Sequence, residues 1–209
     1  MKYLCSFFTL TFVLLFSTQA SASGNKVGNG GDGVFCKNAD HETGQLLDFY
    51  ENPFKKDIKG SDPYLIAKEI FENLEKVAPK ISKPYQKRLS ELKEEIEFKS
   101  QVSLTDIKDS QHLFQPDSKE CKVLQIAIRK AKTLPKEKRF LIRKDLWERL
   151  SPVHQAGLLT HEIIYEHLRK LGEPNSIKAR KLNNYLYSQD LEAETFWKFI
   201  RDLELPIYP

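Results

Sequence analysis

The chain has 209 residues, 40% of them hydrophobic and 30% charged, with 33 Lys and Arg against 29 Asp and Glu for a formal charge of +4. That apolar share is enough for a packed core. The interspersed charges describe a solvated surface, not the basic footprint of a nucleic-acid binder, so no nucleic-acid partner is expected.

The N-terminus carries Lys2, then the uncharged run YLCSFFTLTFVLLF from Tyr3 to Phe16, then the small and polar residues STQASASG. A cation, a short apolar core and a small-residue exit predict a signal peptide over residues 1–22. The run falls short of the roughly 20 residues that a bilayer span takes, and no later segment approaches it. No transmembrane segment is therefore expected after cleavage. The mature protein, residues 23–209, is expected as one domain in the periplasm or outside the cell. An envelope component or another envelope protein is the kind of partner that such a location offers.

The segment VGNGGDGVFCK from Val27 to Lys37 contains G-x-G-x-x-G at Gly28, Gly30 and Gly33. A dinucleotide fingerprint needs a strand before the glycines and a helix after them. Here a signal peptide precedes and the strand-like VFC follows, so a nucleotide site is rejected. G-K-[ST] is lacking, which excludes a P-loop, and the tandem copies of a calcium-binding repeat are missing too. Residues 23–33 are expected as a flexible start. Export leaves Cys36 and Cys121 as an even pair in an oxidising compartment, which predicts a disulfide; two thiolate metal ligands are the alternative, without a C-x-x-C to support it.

GVFCK and GQLLDFYE flank the polar NADHET and suggest a β-hairpin, although the second segment also suits a helix start. Over 62–78, Asp62 as cap, Pro63 at the first helical position and the stripe Ile66, Ile70, Phe71, Leu74 and Val77 predict a helix. Pro79 and Pro84 are read as breaks, with a second helix over 84–100. In the middle, VSLTDI, CKVLQIAI and RFLIRK look like short strands, while residues 121–132 fit a helix equally well. The last third reads as helical, with Ser151 as cap, Pro152 behind it and Gly172 as stop. The expected fold class is α+β and helix-rich: a small antiparallel sheet, amphipathic helices and a helical C-terminal third.

Candidate chemistry concentrates in AGLLTHEIIYEHLRKLG, residues 156–172. At 100° per residue from His161, the residues Ile164, Gly157, Leu168, Tyr165 and Leu158 fall at about 300°, 320°, 340°, 40° and 60°. His161 thus stands inside the apolar arc, one turn before Tyr165, with Glu162 and Glu166 to one side at about 100° and 140°. A desolvated imidazole must find partners for its nitrogens. H-E-I-I-Y-E-H is not the zinc motif H-E-x-x-H, because Tyr165 holds the second ligand position. His167 lies about 120° away around the helix and His154 about 10 Å along it. A zinc site would therefore draw on Glu166 or Glu173 beside His161. Glu162 and Glu166 are spaced like a glycosidase pair, yet two acids on one helix face cannot flank a sugar from opposite sides. No G-x-S-x-G marks a serine nucleophile.

GNGGDGVFCK, LLDFYE, a mid-chain Cys, KDLWERL, AGLLTHEIIY and then Ser176, Arg180 and Asn183 together resemble a group of exported Gram-negative bacterial proteins, alike over nearly the whole mature chain. The resemblance implies a shared fold centred on H-E-hydrophobic-hydrophobic-Tyr, carried here by His161, Glu162 and Tyr165, with Ser176 and Arg180 following. Members of the group carry a His after the glycine that ends this helix, where this chain has Glu173.

Two functional expectations follow. One is a cell-envelope or secreted hydrolase with His161 and Glu162 as ligand or general base, Tyr165 as proton donor or oxyanion stabiliser and Arg180 as anion clamp. The other is a non-catalytic exported binding or structural protein whose His-Glu-Tyr cluster is a buried polar network. Solvent access to His161 and Glu162 separates them.

Overall fold

A computed structural model describes residues 28–29, 31–37, 42–54, 56–100, 102, 104, 116, 118–130, 138–188 and 190–208. The expected signal peptide and most of VSLTDI lie outside those residues. The architecture is α+β, as the sequence predicts, with two small sheets in place of one. In chain order the elements are β1 (Gly28–Asn29), β2 (Asp32–Lys37), β3 (Glu42–Leu46), α1 (Leu47–Glu51), α2 (Pro63–Glu75), α3 (Pro79–Glu95) and β4 (Ile96–Lys99). β5 (Cys121–Gln125), β6 (Ala127–Arg129), β7 (Phe140–Arg143), α4 (Lys144–Trp147), α5 (Pro152–Lys170), α6 (Ile177–Ser188) and α7 (Ala193–Asp202) complete it.

One sheet has the order β1-β6-β7-β4 and the other β3-β2-β5. All pairs are antiparallel except β4 with β7, which makes the first sheet mixed. The two sheets share a kinked ribbon. β1 runs into β2 through Gly31 while β5 runs into β6 through Ile126, and both Ile126 N–H and Ala127 N–H donate to the Gly31 carbonyl, at 3.0 and 3.3 Å. Residues 28–29 and 31–33 are therefore built into the sheets, where the sequence suggests slack. Residues 23–27 and 30 lie outside the described residues. A Cβ at position 31 would stand 2.1 Å from Leu158 Cδ1 of α5, so with any other residue the Leu158 side chain would have to shift.

Cys36 and Cys121 face each other across β2 and β5 and form the predicted disulfide, with 4.0 Å between their Cα atoms. This excludes both from thiolate metal ligation. Residues 121–129 are strand on both sides of Ile126, which settles the helix alternative against the helix where they are described. GQLLDFYE is both of its readings: strand to Leu46, helix from Leu47.

α2 is capped by Asp62, whose carboxylate accepts from Tyr64 N–H at 2.7 Å. α3 begins at Pro79 and continues through Pro84, so only the first proline marks a boundary. Pro84 sits on the exposed side of the helix, where water can satisfy the Lys80 carbonyl that lost its donor. α3 ends at Glu95, because Ile96–Lys99 leave it to pair with β7. The buried faces of α2, α3, α5, α6 and α7 and of both sheets join in one apolar cluster around Phe49, Phe71, Ile164 and Tyr187. At the centre is α5, with twelve buried residues over its 19-residue length. Among the described residues no helix is long and apolar enough to cross a membrane.

Candidate functional site

α5 starts where the sequence places it: Pro152 fills the first position and Ser151 Oγ accepts from His154 N–H at 3.5 Å. It ends at Gly172, whose φ of +96° suits a residue without Cβ. Gly157 allows the closest approach to α1, since a Cβ there would lie 2.4 Å from the Phe49 ring. That approach brings Asp48, on α1, under His161.

His161 Nδ1 and Asp48 Oδ2 are 2.8 Å apart. Asn183 of α6 donates to the same carboxylate oxygen at 2.7 Å and to the Gly157 carbonyl at 2.9 Å. The Thr160 hydroxyl donates to Asn183 Oδ1 at 2.6 Å, and Tyr187 stands 3.2 Å from that hydroxyl. Glu162, on the adjacent face, accepts from Gly31 N–H at 2.7 Å. The glycine-rich segment is thus tied to the H-E pair by a hydrogen bond. All of these side chains are buried; His161 is 2% exposed and Glu162 3%. Burial alone pulls the His161 imidazole down, but Asp48, by charge and hydrogen bond, and Glu162 together hold its pKa above the usual range. Burial pushes the Glu162 carboxyl up against the opposing pull of His161 and the Gly31 N–H. Burial in a dry interior thus favours the neutral form of Glu162, while the charge and hydrogen bond of Asp48 favour the protonated form of His161.

The remaining predicted site residues go elsewhere. Tyr165 is buried one turn on, its ring centroid 6.0 Å from that of His161. Arg180 is buried and engaged: it donates to Glu51 at 3.1 and 3.4 Å and to Ser176 Oγ at 3.1 Å, and its charge acts on His161. Glu166 belongs to a cationic cluster of Arg88 at 3.1 Å, Lys170 at 3.1 Å and Arg139 at 3.5 Å. These guanidinium and ammonium groups lower its pKa although burial opposes them. Glu173 pairs with Lys178 at 2.9 Å. The three residues suggested as a zinc set, His161, Glu166 and Glu173, are therefore dispersed among separate partners. Among the described residues no group of three or more His, Cys, Asp or Glu is placed to hold a metal ion. Glu162 and Glu166 likewise face different partners and form no carboxylate pair.

The other two helix α5 histidines are occupied differently. His154 Nδ1 accepts from Leu46 N–H at 2.8 Å, and burial, partly offset by Asp48, lowers its pKa to about 4. His167 Nδ1 shares a 2.8 Å hydrogen bond with the Tyr85 hydroxyl, and burial together with Lys170 holds its pKa below the usual range. Of the three, His167 alone lines one of the principal surface clefts, about 410 Å³ between α3, α5 and the C-terminal segment.

Sequence reasoning missed Asp48, Thr160 and Tyr187 as members of the buried network. Asp48 carried a legible signal: an acid at the heart of the apolar run Leu46, Leu47, Phe49 will be buried and must find a partner. Compared with protein-family models, curated proteins and solved structures, the chain matches none.

Proposed function

We propose that this is an exported, non-catalytic binding protein in which Asp48, His161, Glu162 and Asn183 form a structural polar network that locks α5 to α1, α6 and the N-terminal ribbon. The observation that carries this reading is access. His161 and Glu162 are all but fully buried, and neither lines any of the principal clefts among the described residues. A catalytic imidazole needs a space within about 3 Å where a reacting atom can sit. Export rests on the N-terminal signal pattern, and the cross-strand disulfide suits an oxidising compartment. The resemblance to exported Gram-negative proteins agrees with it.

One feature favours the hydrolase as a second reading. Asp48 holds His161 through Nδ1, leaving Nε2, and Oε2 of Glu162, without a hydrogen-bond partner in the described structure. An acid that orients an imidazole whose other nitrogen is free is the arrangement a general base uses. Purified mature protein should be assayed on ester, peptide and glycoside substrates next to His161→Asn. The binding reading expects no turnover above background and a loss of thermal stability in the variant. Turnover that a folded His161→Asn abolishes would overturn it.

A further inference from the structure

The cleft between α3, α5 and the C-terminal segment has a consistent chemistry. Its wall is apolar and buried: Ile81 is 8% exposed, Ile163 2%, Ile207 9% and Tyr85 3%. Leu171, 38% exposed, stands at its edge as one of the few large apolar side chains left in water. The polar groups inside are mostly matched to each other, Tyr85 with His167 and Arg88 through Nε and Nη2 with Glu166 and Glu95, which leaves Arg88 Nη1 without a hydrogen-bond partner among the described residues and no lone acid in the wall. Four cations, Lys80, Lys87, Arg88 and Lys170, line it against two acids, Glu91 and Glu166. Glu166 is fully neutralised by its three cationic partners, and the Lys87–Glu91 pair is a loose 3.8 Å contact between exposed groups, which a ligand can exchange. Burial first, and then the charge of Lys170, hold the neighbouring His167 below its usual range.

The volume, about 410 Å³, is that of a small-molecule site. The apolar lane also continues. A second hollow of about 250 Å³, lined by Val77, Pro79, Trp197 and Tyr208, shares Lys80 and Ile81 with the first. An apolar lane with a cationic rim is complementary to one molecular shape.

We propose that this cleft binds a single-chain anionic amphiphile, its alkyl chain along Ile81, Ile163 and Ile207 and its acid headgroup at the rim formed by Lys87 and Lys170. The inference rests on the binding reading above and names its ligand class. Small anions without a chain leave the lane empty, and apolar molecules without a charge leave the rim unused.

Calorimetric titration of the mature protein with dodecanoate, below its micelle concentration, tests it. The expected result is saturable one-to-one binding, at least tenfold weaker for octanoate and for dodecyltrimethylammonium. Lys87→Ala/Lys170→Ala, two exposed positions, should weaken dodecanoate about tenfold. Leu171→Asn should weaken dodecanoate while barely changing the binding of octanoate. If the double variant is poorly folded, 12-bromododecanoate supplies an independent reading: in a Trp147→Phe background it should quench Trp197. No saturable isotherm, equal affinity for the cationic amphiphile, or an unchanged affinity in the folded double variant would overturn the ligand class. Those results leave the non-catalytic role of His161 standing, whereas hydrolysis lost in a folded His161→Asn overturns that role whatever the isotherm shows.

Discussion

Removing the carboxylate of Asp48 separates a structural network from an incidental one. Asp48 Oδ2 accepts from both His161 and Asn183, and Asp48 is 1% exposed. In Asp48→Ala, the imidazole is left in a dry interior without the acid that raised its pKa, and the Asn183 side-chain nitrogen keeps only the Gly157 carbonyl. Breaking one side of a buried pair costs about 3–5 kcal/mol. For a domain of this size that is a fall of about 6–20 °C in Tm. Asp48→Asn keeps an acceptor but not the charge, and should cost about 1–2 kcal/mol, the difference between a charged and a neutral hydrogen bond. Asp48→Ala combined with His161→Leu removes the stranded imidazole as well, so the double variant should lose at least about 2 kcal/mol less than the two singles added together. Urea unfolding at pH 6, with thermal melts alongside, measures all four. A loss below about 1 kcal/mol in Asp48→Ala, or strict additivity in the double variant, refutes the claim that this pair locks α5.

The His154 imidazole, lowered to about 4, binds its proton more weakly folded than unfolded, so its contribution is present above the unfolded value near 6.5 and is lost as pH falls toward 4. The loss over that window is about 3 kcal/mol, and His154→Asn should flatten that part of a urea-midpoint profile. His161 and Glu162, both raised, act oppositely: their stabilisation is full below their unfolded values and is lost as pH rises through the folded ones, a trend that Asp48→Asn should shrink on the alkaline side. Gly157→Ala places a methyl 2.4 Å from the Phe49 ring and should destabilise by about 1–3 kcal/mol, read by thermal melts. Reduction of Cys36–Cys121, which spans 85 residues, should cost about 4–5 kcal/mol on the chain-entropy account, read as the urea midpoint with and without a thiol reductant.

His161 was legible from the sequence because a helix of known phase converts spacing into direction, and its apolar arc is what the core receives. Its partner was not, since Asp48 lies 113 residues away and no local rule pairs them. The same limit hid Arg180's engagement with Glu51, 129 residues apart. Local signals fared well where they act locally: the caps at Asp62 and Ser151 and the stop at Gly172. Pro84 misled because a proline inside a helix is costly only where nothing replaces the missing bond, and its exposed side is the tolerant one.

The glycines of GNGGDG show how residues that read as slack in a sequence are held in place in a fold. A glycine lacks a Cβ, and that single property serves two opposite ends: it loosens a free chain and it lets a fixed chain come close to a neighbour. The sequence cannot separate them, because the deciding atom is on the neighbour. At Gly31 that atom is Leu158 Cδ1, 2.1 Å from where a Cβ would be, and the backbone N–H freed by the approach reaches Glu162 at 2.7 Å. Leu158 and Glu162 are four residues apart on α5, so one helical face both crowds the glycine and accepts its N–H. The ribbon therefore reaches Glu162 through Gly31.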